Sequence, residues 1–198
     1  MSPFVKLKSE FEVTWTTLLV GWKGLGGLSA WPNKPASFPT LLSRDEISAF
    51  TADKLQSSSN PAEQGLILRM LASDLATESR ETVEKWLSEL SEENGSDPLI
   101  ELRKWRLVLL EQLLDNIPGD ALYGLIALTE FWQNFGFPPD SPHEVQGRGN
   151  AISPSEYYQT DHLKHALSLH RAWIMREKSD IQARAMHKSP AGDGLAHI

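Results

Sequence analysis

Residues 97–115 read Asp97-Pro98-Leu99-Ile100-Glu101-Leu102-Arg103-Lys104-Trp105-Arg106-Leu107-Val108-Leu109-Leu110-Glu111-Gln112-Leu113-Leu114-Asp115, and this stretch decides the fold class. An aspartate followed by proline marks a helix start. The Asp side chain accepts an otherwise free amide N–H, and proline at the first helical position has no N–H to leave unsatisfied. No glycine or proline interrupts the pattern before about Asp115. Leu107 to Leu110 is apolar on every side, so this helix is expected to lie centrally, with neighbours all round.

Caps mark further helices on both sides. Ser43-Arg44-Asp45-Glu46 is a capping box, with Leu42 and Ile47 placed as its hydrophobic staple. Asn60-Pro61 starts the next helix, and Ser79 caps another whose Val83, Trp86, Leu87 and Leu90 follow helical spacing up to Asn94-Gly95. Pro118-Gly119-Asp120 turns into an apolar helix ending at the C′ glycine Gly136. Ser153-Pro154-Ser155-Glu156 is a second capping box. Asp161 is expected to cap the last helix, whose stripe is Leu163, Ala166, Leu167, His170, Trp173 and Ile174. Period-two alternation never persists. Phe11 to Val20, rich in aromatics and β-branched residues, could be strand or helix and is read as helix. The expected fold is therefore all-α: a single globular domain of six or seven helices over residues 1–188, with a long ordered Pro/Gly loop near 137–152. Residues 189–198 read as a disordered tail.

Length and composition narrow the function classes. The chain has 198 residues, a net charge of −7 and no cysteine. Phosphate contacts need clustered Lys and Arg, so no nucleic-acid partner is expected. Absent thiols remove disulfides and thiolate metal sites and point to a reducing cytoplasm. The start lacks an apolar signal-peptide core, and the run from Trp15 to Trp22 is far short of a bilayer span, so no membrane partner is expected. Gly21, Gly24, Gly26 and Gly27 lack the Lys-Ser/Thr of a phosphate-binding loop and read as a turn. No cofactor is expected.

Two regions could carry function. The first is the loop after Phe135, since a polar loop this long is uncommon in a compact domain unless it is functional or disordered. Asp140, His143, Glu144 and Arg148 are its candidates if the protein is an enzyme. A carboxylate beside His143 would fix its tautomer and make a general base, but no nucleophile accompanies them, and a loop pinned by turns explains the same residues. His162 and His165, three apart, are weak metal candidates, with Glu156, Asp161 or His143 as possible third ligands but no HExxH-type signature. The second region is acidic. Residues 74–97 hold eight acids and two bases, a net of −6, whereas 162–188 hold six bases and two acids, a net of +4. Glu81, Glu84, Glu89, Glu92 and Glu93 make a face that could steer a basic protein partner.

These residues also carry a resemblance. Trp15-Thr16-Thr17-Leu18-Leu19-Val20-Gly21-Trp22, Asp45-Glu46-Ile47, Arg103-Lys104-Trp105, Phe131-Trp132 and Asp140-Ser141-Pro142-His143 resemble a bacterial family, domain of unknown function 2247, over about residues 11–175. The resemblance implies a helical protein and assigns no activity to any residue. Small acidic bacterial proteins of this general kind resemble immunity proteins, an analogy that does not establish function. The expectation is a non-enzymatic cytoplasmic binding protein, of the kind that neutralises a basic toxin domain, with no catalytic residue. The alternative is a small-molecule hydrolase or metal-dependent enzyme using the 140–150 loop.

Overall fold

The computed structural model describes residues 1–24, 41–94 and 96–188. Nine helices lie among them: α1 (Pro3–Glu10), α2 (Trp15–Lys23), α3 (Arg44–Ser57), α4 (Pro61–Ala72), α5 (Arg80–Asn94), α6 (Pro98–Asp115), α7 (Ala121–Asn134), α8 (Pro154–Tyr157) and α9 (Thr160–Lys188). No strand occurs among the described residues, and the fold is all-α. Three expectations lie outside the described residues: the tail at 189–198, Gly26 and Gly27, and Gly95 as a helix stop.

The helix starts follow the capping chemistry. Ser43 and Ser153 each complete a capping box with the glutamate three residues on. Asn60, Asp97 and Asp120 accept amides of their own first turns, and Ser79 accepts the Thr82 amide. Phe11 to Val20 resolves as an extended link followed by α2, capped by a Thr14–Thr17 box. Nine helices among the described residues exceed the expected six or seven, and α1 is one outside that set. It is short, capped by Ser2 with Pro3 behind it, and buries Phe4 and Leu7. Asp161 does not cap α9. The helix already begins at Thr160, and Asp161 sits exposed in its first turn, pairing with Lys164.

Helix α6 is the axis. It meets α1, α2 and α9, and Leu107, Val108 and Leu110 are fully buried. From α2 the packing continues to α5, α4 and α3, and from α9 to α7. The α2–α6 contact is close because Gly21 has no side chain: a Cβ there would sit 2.5 Å from the Trp105 ring. Gly21 thus lies mid-helix, not in a turn. Trp105 Nε1 donates to Thr17 O at 2.9 Å, which fixes the register of the pair. No helix among the described residues is long and apolar enough to cross a membrane.

Candidate functional site

The loop after α7 is held by its backbone. Gly136 adopts φ 72° and Phe137 φ 50°, and the Phe137 amide returns to Trp132 O at 2.9 Å. This left-handed stop turns the chain back over α7. The Asn150 side chain then ties the far limb, accepting the Gly147 amide and donating to Val145 O. Tyr157, buried on α8, donates its hydroxyl to Glu144 O at 2.7 Å.

Beneath lies an aromatic floor. Trp132 is fully buried. It meets Trp173 edge-on at 5.3 Å and Phe131 at 5.2 Å. Its Nε1 donates to His170 Nε2 at 2.8 Å, while His170 Nδ1 faces Ala166 O at 2.6 Å. A carbonyl can only accept, so His170 is neutral with its proton on Nδ1, and both nitrogens are satisfied. It is a core histidine.

His143 enters this floor from above. Its Nε2 lies 2.8 Å from Thr129 Oγ1, and that hydroxyl donates to Leu125 O. Nε2–H must then donate to Thr129, leaving Nδ1 as a bare acceptor, buried without a hydrogen-bond partner. Burial, then the nearby His170 and His162, push the His143 pKa down to about 3. The ring is neutral throughout the physiological range.

The loop candidates therefore come together only in part. His143, Glu144 and Arg148 line one concavity of about 360 Å³ with Ser141. Asp140 does not join them; Arg106 holds it at 2.8 Å. Glu144 is exposed, and Arg148, also exposed, lies over the Phe137 ring at 4.8 Å. Ser141 Oγ accepts the His143 backbone amide, not a bond from its ring. No carboxylate orients the imidazole, and a base with a pKa near 3 has little affinity for a proton at neutral pH. This geometry makes a clasp. His162 lies against Tyr157 at 4.6 Å with the rings tilted, and His165 is exposed. Among the described residues no group of three or more His, Asp or Glu side chains could hold a metal.

On α5, Val83, Trp86, Leu87 and Leu90 face the core, which turns the acids outward. Glu84 pairs with Lys23 at 3.5 Å and Glu89 with Lys85 at 3.9 Å. Glu81, Glu92 and Glu93 are exposed. The Glu81 carboxyl is held below its usual pKa by its own backbone N–H, then by Ser79. Among the described residues Glu93 receives the neutral Asn60 amide and no cation.

A second polar constellation was not foreseen from the residues. Glu101 and Lys104 are both buried on α6. Lys104 Nζ donates to both Glu101 oxygens and to Glu12 O, each at 2.9 Å, and Thr17 donates its hydroxyl to Glu101. Neighbouring Arg103 grips Glu177 with two nitrogens and reaches Asp180 at 2.6 Å. Arg106 bridges Glu177 and Asp140 while lying 4.9 Å from the Trp173 ring. The 101–104 pair borders a cavity of about 270 Å³ between the start of α6 and the far part of α9. The available signal was an i,i+3 charged pair on a helix otherwise read as central.

The segments Trp15–Trp22, Arg103–Trp105, Phe131–Trp132 and Asp140–His143 thus meet around α6. No curated protein and no solved structure matches the chain. A family model does match, over residues 5–178, and its description is an uncharacterized protein conserved in bacteria. The chain belongs to that family, domain of unknown function 2247.

Proposed function

We propose that the protein is a non-enzymatic cytoplasmic binding protein that docks a basic protein surface on the acidic face of α5, in the manner of an immunity protein neutralising a toxin. One observation carries this reading. The last turn of α5 holds acids and no basic residue, at the end where the helix dipole is already negative. Each such acid is unfavourable by about 0.3–1 kcal/mol in the free protein. A cationic partner relieves that repulsion on binding, so the arrangement favours the complex over the free chain. The enzyme alternative has less support, because the loop residues lack a basic imidazole, a nucleophile and a metal set.

Reversing Glu81, Glu92 and Glu93 to lysine tests the reading without breaking the Lys23–Glu84 or Lys85–Glu89 pairs. The partner is taken by affinity capture from the native host, or as the product of a toxin gene beside this one. The variant should associate about tenfold or more slowly at low salt, with a flatter salt dependence. An unchanged rate and salt slope would remove α5 from the interface.

A further inference from the structure

In the cavity between α6 and α9 the buried donors are spent, whereas two carboxylates keep free acceptors. All three Lys104 N–H groups are committed to Glu101 and Glu12 O. Arg184, exposed at the rim, gives its Nε to Asp180 and keeps its other guanidinium N–H groups without a hydrogen bond among the described residues. The first amides of α6 are closed as well: Leu99 N donates to Asp97 Oδ1, and Ile100 N and Glu101 N donate to Asp97 O. An anion reaching the cavity floor would find no free donor on Lys104 or on the first amides of α6. The acceptors are better placed. Asp97 uses one carboxylate oxygen for its cap, and the exposed Glu12 side chain has no ion pair among the described residues. Three carboxylates (Glu12, Asp97, Glu101) face two cations (Lys104, Arg184), a net of −1. Ile100, Ile181 and Ala185 complete the wall with apolar surface.

We infer that this cavity receives a cation on an aliphatic stem: the guanidinium or ammonium of an Arg or Lys side chain carried by a basic protein partner. The stem packs on Ile100 and Ile181 as long basic side chains do on apolar surface, and the charge reaches Asp97 and Glu12. The volume of about 270 Å³ lies just under the roughly 300 Å³ at which pockets for whole small molecules begin, which suits one inserted side chain. The inference rests on the reading of α5 given above. Helix α5 ends at Asn94, two residues before Ser96 of the cavity lining, so a partner drawn to the acidic turn arrives beside the mouth.

The test uses the full chain and amide NMR spectra, with butylguanidinium, butyrate and an acetyl-Gly-Arg-Gly-amide peptide as probes. Butylguanidinium should shift the amides of Ile100, Glu101 and Ile181, and butyrate should not. The Asp97→Asn/Glu12→Gln double variant removes two charges while Asn preserves the helix cap. It should melt like the wild type and bind butylguanidinium about tenfold more weakly, as expected for a lost charge-assisted hydrogen bond. Ala185→Phe, which narrows the cavity from the exposed side of α9, should also abolish the shifts. Butyrate moving the same amides, or undiminished binding by the double variant, would overturn the proposal. Peptide binding at least as tight as butylguanidinium supports a protein-borne side chain. Binding of the free cation alone would replace the protein partner with a small amine. The α5 reversal leaves butylguanidinium binding untouched, so failure of the cavity and failure of the acidic face are separately visible.

Discussion

Replacing Trp132 by alanine removes the centre of the aromatic floor. The ring is fully buried and touches Phe131 and Trp173 edge-on, so truncation carries the usual cost of a buried aromatic, about 3–5 kcal/mol. A second cost follows. His170 Nε2 loses its only donor and is left as a buried acceptor, worth about 1–3 kcal/mol. The two overlap where water enters the new space, so the expected total is about 4–6 kcal/mol. Domains of this size lose about 2–4 °C in Tm per kcal/mol, which puts the fall at about 10–20 °C. Urea denaturation followed by circular dichroism should show a lower midpoint at an unchanged slope. Trp132→Phe keeps one ring but loses the donor and part of the indole volume, so it should cost less than alanine, about 2–3 kcal/mol. A Trp132→Ala loss under about 2 kcal/mol, or equal losses for the two variants, would refute the view that ring packing and the His170 bond are separate supports.

Acid should destabilise the protein through His143. The unfolded chain takes up that proton below about pH 6.5, whereas the folded ring does so only near a pKa of about 3. Its contribution is complete above about pH 6.5 and fades as pH falls toward 3, by about 2 kcal/mol between pH 7 and pH 5. Burial lowers the His170 pKa too, which acts in the same direction. His143→Gln should flatten the acid side of a stability–pH curve measured by urea midpoints, and an unchanged curve would show that His143 titrates freely. Two of the helical glycines, Gly21 and Gly65, should respond oppositely to alanine. Gly65 of α4 has open space about its Cβ position, so Gly65→Ala should stabilise by about 0.5–1 kcal/mol. Gly21→Ala drives a methyl into Trp105 and Leu42 and should destabilise by about 1–3 kcal/mol; thermal melts of the pair decide both.

Local chemistry was legible in the sequence, and long-range polar pairing was not. Ser43, Asn60, Asp97 and Ser153 announce their helices because a cap acts within three residues. The apolar girdle at Leu107–Leu110 announces a central helix because burial shows as composition. The meeting of Trp132 with Trp173 follows from matching apolar stripes. Ser2-Pro3 carries the same start signal as Ser153-Pro154, but the helix behind it is too short to show a clear period. Glu101, Lys104 and Glu177 look like exterior residues, since burial of a charge depends on partners that periodicity cannot supply. Thr17 is 84 positions from Glu101, and Arg103 is 74 from Glu177. For the same reason the buried stripe of α9 reads as ending at Ile174, although it continues through Glu177 and Ile181. Asp140 was grouped with His143 by proximity in the chain, and Arg106, 34 positions away, claims it instead.

The ion pair between Glu10 and Lys178 joins positions 168 apart, at 2.9 Å. On the ribosome this contact can form only after residue 178 has emerged. Helices α1 to α6 emerge first, but the carboxylate that Arg103 and Arg106 share arrives only with α9. Until then the nascent chain carries two guanidinium groups and the Trp132 ring with no α9 to cover them. Synthesis stalled before residue 177 would leave that half-built face as a natural target for chaperones, and for proteases if the pause is long.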